Sequence, residues 1–130
     1  MTLVVDATVV VAALVDDGAE GRWATDLMRQ QPLASPHLVM VESTQILRKA
    51  SLSGDLDDGI ASLALRDLLQ MRIDLFPFEP LADRIWELRF NLTSYDAWYV
   101  ALAEALDAPL ATLDQKLAAA PGLRCQTLTP

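Results

Sequence analysis

The chain has 130 residues, 52% of them hydrophobic, which is enough to fill one core, so we predict a single domain over residues 1–130. Ten Lys and Arg residues against 18 Asp and Glu residues give a formal net charge of −8, which argues against a generally basic surface for nucleic acid. It does not exclude a local site that attracts phosphate through a bound metal ion. The single cysteine, Cys125, excludes an internal disulfide, and the apolar N-terminal segment lacks a basic start. We therefore expect a soluble cytoplasmic protein without membrane contact.

The first third of the chain predicts short strands alternating with helices. Residues 3–5 are apolar and β-branched, as in a strand buried on both faces, and Asp6 follows them directly. Residues 8–14 fit a helix, although their valines would equally prolong the strand. A second helix is predicted over residues 22–30 and a short strand over residues 32–34.

The middle of the chain predicts two longer helices and a strand. Ser35 and Pro36 read as the cap and the first residue of a helix that runs to about residue 50. Apolar residues at helical spacing predict a second helix over residues 56–71. Residues 73–78 then predict a strand near the edge of the sheet, because they contain a proline.

The last third repeats the same alternation and sets the fold class. Helices are predicted over residues 80–92 and 95–106, the second of them ended by Pro109. Two strands, residues 110–113 and 123–128, follow, with a short helix over residues 116–119 between them. Regular alternation of strands and helices predicts an α/β fold, a three-layer sandwich with a mostly parallel sheet of four or five strands flanked by helices.

Four carboxylates do not look like ordinary surface charge. Asp6 and Asp114 each follow a buried strand, so both should emerge at the carboxyl edge of a parallel sheet, where α/β proteins bind ligands. Glu42 borders the apolar stripe of its helix, and Asp96 lies in the first turn of a helix that is apolar nearly all round.

Each of these acids also has a structural explanation. Asp6 and Asp114 are suited to cap the helices that follow them, and the helix dipole favours Asp96 in a first turn. Glu42 would need a buried partner such as Arg48 or Lys49. If the four acids converge, each close pair repels by about 4 kcal/mol at 4 Å, so the cluster is stable only if it is protonated or neutralised, and a divalent cation is the natural neutraliser. An all-oxygen set of ligands suits Mg²⁺ or Mn²⁺ better than Zn²⁺.

The segments around these acids resemble a known family. The segments are Val4-Val5-Asp6-Ala7-Thr8, then Val41-Glu42, then Thr93-Ser94-Tyr95-Asp96-Ala97 with Tyr99, Ala101, Leu102 and Ala103, and finally Leu110-Ala111-Thr112-Leu113-Asp114 with Leu117. In their order, spacing and sequence they are similar to the motifs of PIN-domain proteins, and more narrowly of VapC-type toxins of bacterial type II toxin–antitoxin systems, over nearly the whole chain.

The resemblance implies a metal-dependent endoribonuclease that acts on structured RNA such as transfer or ribosomal RNA and leaves 5′-phosphate and 3′-hydroxyl ends. It implies one or two Mg²⁺ ions, with Mn²⁺ as a substitute. Two positions depart from the family pattern: the bulky Trp98, and the lack of a further acid in the short helix after Asp114, which bears on a second metal site. The acids implied as catalytic and metal-binding are Asp6, Glu42, Asp96 and Asp114, with Thr8 and Thr112 supporting them through hydrogen bonds.

The resemblance also implies partners. It predicts a cognate antitoxin whose basic C-terminal segment approaches the acidic site, and a homodimer. Trp23, Trp86 and Phe90 are candidates for apolar contacts with either partner, or for the core. Arg89 and Lys116 are candidates for phosphate contacts, or simply solvated helix residues.

The residues do not match the motifs of several other enzyme and signalling classes. His37 is the sole histidine and a Ser/His/Asp triad is not evident. A phosphatase would need a second Asp where Thr8 stands, and a receiver domain would need a Lys where Asp114 stands. The remaining alternative is a non-catalytic PIN-like module that binds RNA or protein.

Overall fold

The computed structural model describes residues 1–130 as one five-stranded sheet surrounded by seven α-helices. The sheet order is β3-β2-β1-β4-β5, and all four neighbouring pairs are parallel. The predicted α/β fold with a parallel sheet of up to five strands is therefore confirmed. The strands are β1 (Leu3–Val5), β2 (Leu33–Pro36), β3 (Ile73–Phe76), β4 (Leu110–Ala111) and β5 (Thr127–Leu128).

The helices occupy the connections between consecutive strands. Two short 3₁₀ segments, Glu79–Leu81 and Leu88–Phe90, flank the fifth helix. The helices are α1 (Ala7–Val15), α2 (Ala19–Arg29), α3 (Leu38–Ser53), α4 (Asp58–Gln70), α5 (Ala82–Glu87), α6 (Ser94–Ala105) and α7 (Gln115–Ala118). None of them is long and apolar enough to cross a bilayer.

The chain winds outward from β1 in two opposite directions. The connections from β1 to β2 and from β2 to β3 run one way, and the chain then returns past β1 to β4 and β5. Because parallel crossovers are right-handed, opposite directions place their helices on opposite faces of the sheet. Accordingly α1 packs against α2, α3 and α4, whereas α6 packs against α5 and the sheet. The strand order reverses between β1 and β4, the usual place for a ligand site in such sheets.

The core lies around the central strand and the helix α6. All three residues of β1 are fully buried, as expected for a strand that is paired on both edges and covered on both faces. In α6 the residues from Tyr99 to Ala103 are almost wholly buried, which explains why its sequence is apolar nearly all round. Asp96 lies in the first turn of this buried helix.

The predicted helix start at Ser35 and Pro36 is wrong. Both residues belong to β2, where they pair with β3 at Leu75 and Phe76. The buried Ser35 hydroxyl donates to the carbonyl of Val5 at 2.8 Å, so it bonds to the neighbouring strand and does not cap a helix. Pro36 is tolerated because it stands at the strand end, beyond the last residue pair with β1.

The remaining helices and strands have the predicted type, but several of them begin or end at other residues than predicted. The predicted helix over residues 80–92 is broken into α5 and the two 3₁₀ segments, and no internal proline or glycine in α5 signals the break. Arg84 of α5 bonds instead to α6 and to the C-terminal loop, so tertiary contacts set the geometry. The strands β3, β4 and β5 are shorter than predicted, and α2 begins earlier, at Ala19.

Candidate active site

The carboxylate of Asp6 lies at the centre of a hydrogen-bond network that joins two turns of the sheet. Asp6 follows β1 and is 5% exposed. Its Oδ1 accepts from the Thr8 hydroxyl and from the backbone N–H of Val9, and its Oδ2 accepts from the Thr112 hydroxyl. The bond to Val9 caps α1, so the structural explanation for Asp6 is correct as well.

The two threonines extend this network to the turn after β4. While donating to Asp6, Thr8 accepts from the backbone N–H of Leu113 at 3.0 Å, and Thr112 accepts from the backbone N–H of Asp114 at 3.0 Å. Each hydroxyl therefore has a donor role and an acceptor role, which fixes its orientation. The turns that carry Asp6 and Asp114 are bound together as one unit.

Asp114 caps a helix and also lies at the edge of the sheet. Its Oδ1 accepts from the backbone N–H groups of Lys116 and Leu117 at 2.9 and 3.2 Å, so it is the N-cap of α7. Its side chain is exposed and lines the same cavity as Asp6. The capping explanation holds here too, and it leaves Oδ2 free.

Glu42 is held by a tyrosine and not by a cation. The hydroxyl of Tyr99, in the middle of α6, donates to Glu42 Oε1 at 2.6 Å. Arg48 and Lys49 are exposed and form no ion pair with Glu42, so the partner expected for a structural Glu42 is not found. Burial and the bond to Glu42 raise the pKa of Tyr99, so its hydroxyl keeps its proton and acts as a donor.

The four acids line one cavity of about 350 Å³ at the point where the strand order reverses. Burial raises the pKa of Asp96, and the negative charges of Asp114, Glu42 and Asp6 raise it further. Burial also raises the pKa of Asp6, although the hydrogen bonds from Thr112, Thr8 and Val9 oppose this. The mutual repulsion expected for convergent carboxylates is therefore present.

Part of the cavity lining is apolar. It includes Leu38, Val41 and Ile46 of α3, the helix that also carries Glu42, and Tyr95, which is 62% exposed. A cavity lined by both carboxylates and apolar surface suits a ligand that carries both a cation-binding group and a flat apolar part. A nucleotide bound through a divalent cation has both.

The donor set fits a hydrated divalent cation. No three His, Cys, Asp or Glu side chains already stand close enough together to form a complete set of metal ligands. Mg²⁺ does not need such a cage, since it keeps several water molecules and binds through one or two carboxylates. One oxygen each of Asp114 and Glu42, together with the carboxylate of Asp96, is available to such an ion. The hydrogen bonds to Asp6 offset part of the rise in its pKa that burial causes.

Two residues of the site were not selected as site residues from the sequence. Tyr99 and Tyr95 appeared only as part of the matching segment. The signal that was available for Tyr99 is its place three residues after Asp96, on the same face of α6. Neither Arg89 nor Lys116, the candidates for phosphate contacts, lines the cavity.

The aromatic candidates for partner contacts divide into two groups. Trp23 packs against the core. Trp86 and Phe90 are 66% and 81% exposed, and the guanidinium of Arg89 lies over both rings at 4.5 and 4.3 Å from their centroids. This cation–π group is a surface feature outside the cavity.

Known proteins resemble this chain over nearly its full length. The model of the PIN domain matches residues 3–123. Ribonuclease VapC1 of Mycobacterium tuberculosis is 44% identical over 124 residues, which cover 95% of this chain and 93% of that protein. The crystal structure of PAE2754 from Pyrobaculum aerophilum superposes with a TM-score of 0.74 at 25% identity, covering 98% of this chain and 83% of the other.

A third comparison concerns a complex. The structure of VapBC-5 from Mycobacterium tuberculosis, a member of the VapBC family of toxin–antitoxin systems, shares the fold with a TM-score of 0.63 at 18% identity, covering 99% of this chain and 98% of that one. The matched segment of the family model contains all four acids and both threonines, and the identity to VapC1 is well above what a shared fold alone requires. This chain belongs to the PIN-domain family, within its VapC group.

Proposed function

We propose that this chain is a metal-dependent endoribonuclease that hydrolyses phosphodiester bonds in RNA. One observation carries the proposal: four acids from distant parts of the sequence line a single cavity at the switch point of the sheet. The related VapC1 protein is named a ribonuclease and covers almost the whole chain. A non-catalytic binding module would not explain why four carboxylates that repel one another line the same cavity.

The residues of the cavity would share the work as follows. A bound Mg²⁺ or Mn²⁺ would supply a water of lowered pKa and would neutralise charge on the scissile phosphate. Asp6, fixed by Thr8 and Thr112, and Glu42, fixed by Tyr99, would hold the cation in place. Asp114 would contribute its free oxygen, and Asp96 would orient the attacking water.

The substrate is proposed to be a structured RNA, with transfer or ribosomal RNA as the classes implied by the family. A chain with a net charge of −8 has few cations to offer to phosphates. Affinity must then depend on the bound metal and on shape, and it should fall with rising salt. The small cavity would accept a single nucleotide taken out of a helix, in a loop or bulge.

The proposed partner is an antitoxin with a basic C-terminal segment, and the chain itself is proposed to form a homodimer. VapBC-5, which shares this fold, belongs to a toxin–antitoxin family. Arg side chains would complement the acidic cavity with paired hydrogen bonds. Apolar side chains of α3 and α4 that remain exposed offer surface for a protein partner, namely Val41, Leu52, Ile60, Leu63 and Leu69.

The test is cleavage of RNA by the purified chain free of any partner. We expect cleavage with Mg²⁺ or Mn²⁺, none after chelation, and a loss of at least about 100-fold for Asp6→Ala and for Asp96→Asn. Asp67→Asn is the matched control, because it removes one exposed carboxylate of α4 outside the cavity. Cleavage that persists in both cavity variants, with the fold intact, would reject these acids as catalytic groups.

A further inference from the structure

The hydrogen bond between Tyr99 and Glu42 joins two helices that share no other side-chain hydrogen bond. Tyr99 lies on α6 and Glu42 on α3, 57 positions apart in the sequence. The Tyr99 ring is 1% exposed, so the surrounding core fixes both the ring and the direction of its hydroxyl. Only Oε1 of Glu42 receives this bond, which leaves Oε2 without a partner inside the chain.

Packing alone does not explain the hydroxyl. Phenylalanine has the same ring and would fill the same volume without the cost of burying a polar group. The hydroxyl is compensated only because Glu42 is in place, and Glu42 has no cation beside it that would hold its carboxylate. The hydroxyl of Tyr99 is therefore best explained by its hydrogen bond to the Glu42 carboxylate.

Glu42 needs such a restraint more than Asp6 and Asp114 do. Asp6 and Asp114 are each fixed by backbone N–H groups next to them in the sequence. Glu42 stands in mid-helix with a longer side chain, and it is repelled by the carboxylates across the cavity. Without a donor its side chain would be free to rotate toward solvent.

We propose that Tyr99 is a positioning residue of the acidic site, whose hydroxyl holds the Glu42 carboxylate in the cavity where its second oxygen can bind a divalent cation. This inference rests on the proposed function, because it assumes that the cavity binds a metal ion. The hydroxyl is fixed by the core of α6, so the position of the Glu42 ligand is set before metal arrives. Hydrogen bonds that orient a metal ligand typically change metal affinity 10- to 100-fold when they are removed.

The experiment is a calorimetric titration of the purified full chain with Mn²⁺ alone, which measures the affinity for the ion. We expect Tyr99→Phe to weaken Mn²⁺ binding by about 10- to 100-fold while the thermal unfolding transition stays cooperative. Ser51→Ala is the matched control, because it removes a hydroxyl that donates to the carboxylate of Asp58, also from α3 but outside the cavity. Its Mn²⁺ affinity should equal that of the wild type.

A double-mutant cycle separates positioning from a general structural effect. If Tyr99 acts through Glu42, then adding Tyr99→Phe to Glu42→Gln should change Mn²⁺ affinity no further. Glu42→Asp provides a second route, since the shorter side chain keeps the charge but draws back from the Tyr99 hydroxyl. It should bind Mn²⁺ as weakly as Tyr99→Phe does.

The outcomes distinguish this inference from the proposed function. Equal Mn²⁺ affinity in Tyr99→Phe and wild type, or additive losses in the cycle, would overturn the role of Tyr99 and leave the nuclease proposal standing. Mn²⁺ binding by the wild type with no RNA cleavage under any condition would reject the nuclease and keep the positioning role. A wild type that does not bind Mn²⁺ would reject both.

Discussion

The carboxylates of the cavity differ in how far their negative charge is stabilised, and this difference predicts which of them lowers the stability of the folded protein. Asp6 is buried and accepts three hydrogen bonds, which offset only part of the rise in its pKa that burial causes. Asp96 is only half-buried, yet burial and three neighbouring acids raise its pKa. A site that binds a cation must keep such repulsion in the metal-free state, at a cost in stability.

Asp96→Asn should therefore stabilise the metal-free protein. A carboxyl whose pKa is higher in the folded chain than in the unfolded chain makes the protein lose stability as the pH rises above the ordinary value of about 3.9. Because solvent screens this half-exposed carboxylate, we expect the variant to gain no more than about 1 kcal/mol at pH 7, or about 4 °C in melting temperature. The gain should vanish near pH 3, where the carboxyl is protonated in both states.

Thermal unfolding in the presence of a chelator is the measurement. Asp67→Asn, which removes an exposed carboxylate elsewhere, should change the melting temperature little at either pH. Added Mg²⁺ should stabilise the wild type more than Asp96→Asn and so reduce the difference. A lower melting temperature for Asp96→Asn at pH 7 would contradict the account of repulsion in the cavity.

At the scale of the elements, the turn between α1 and α2 depends on a glycine inside a helix. Gly21 is buried in the first turns of α2, which packs directly against the end of α1. A Cβ at this position would stand 1.8 Å from the carbonyl oxygen of Asp16. The close approach of these two helices requires a residue without a side chain.

Gly21→Ala should destabilise the protein although alanine favours helices. The gain of about 0.5–1 kcal/mol from helix propensity cannot offset the overlap with backbone, and we expect a net loss of about 1–3 kcal/mol or more. Gly59→Ala in α4 is the comparison, because its Cβ would meet no backbone and only Oδ2 of Asp57, the N-cap of α4, at 3.0 Å. Urea denaturation should show a clearly larger loss for Gly21→Ala than for Gly59→Ala.

At the scale of the whole molecule, an ion pair binds the C-terminal segment to the helices on one face of the sheet. Arg84 of α5 donates to both oxygens of Glu104 of α6, at 2.7 and 3.1 Å, and also to the carbonyl of Gly122 at 2.9 Å. Glu104 in turn accepts from the backbone N–H of Arg124 at 2.8 Å. Three segments that are distant in sequence therefore meet at one carboxylate.

This arrangement predicts the pH dependence of stability. Burial would raise the pKa of Glu104, but hydrogen bonds from Arg84 and Arg124 outweigh it and hold the pKa below its ordinary value. The stability that the pair supplies is therefore complete above the ordinary pKa of about 4.3 and is lost as the pH falls through the lower folded value. Glu104→Gln should lose about 1.5–3 kcal/mol at neutral pH.

Urea denaturation at a series of pH values is the check. The curves of Glu104→Gln and wild type should be well separated at pH 7 and should converge at the acid end. Glu87→Gln is the control, because Glu87 contacts Arg84 at only 3.5 Å and its side chain is 57% exposed. An exposed pair of this kind is worth little, and its loss should cost less than about 0.5 kcal/mol.

The alternation of strands and helices predicted the fold, and the position of acids after buried strands predicted that they lie close together. A buried strand followed by an acid placed Asp6 and Asp114 correctly, because all the strands are parallel and end at one edge. The rule failed at Ser35, where a cap signal lost to pairing between strands. It gave no hint of the break around α5, which depends on contacts with distant segments, among them the bonds of Arg84.

The network around Asp6 has a consequence for when the acidic cavity can form during synthesis of the chain. Thr112 reaches Asp6 across 106 positions of sequence, and β1 gains its second neighbour only when β4 has been synthesised. Asp114 emerges later still. A growing or truncated polypeptide that stops short of these residues holds no complete acidic cavity, so the activity proposed for that cavity cannot arise until the chain has been synthesised through Asp114.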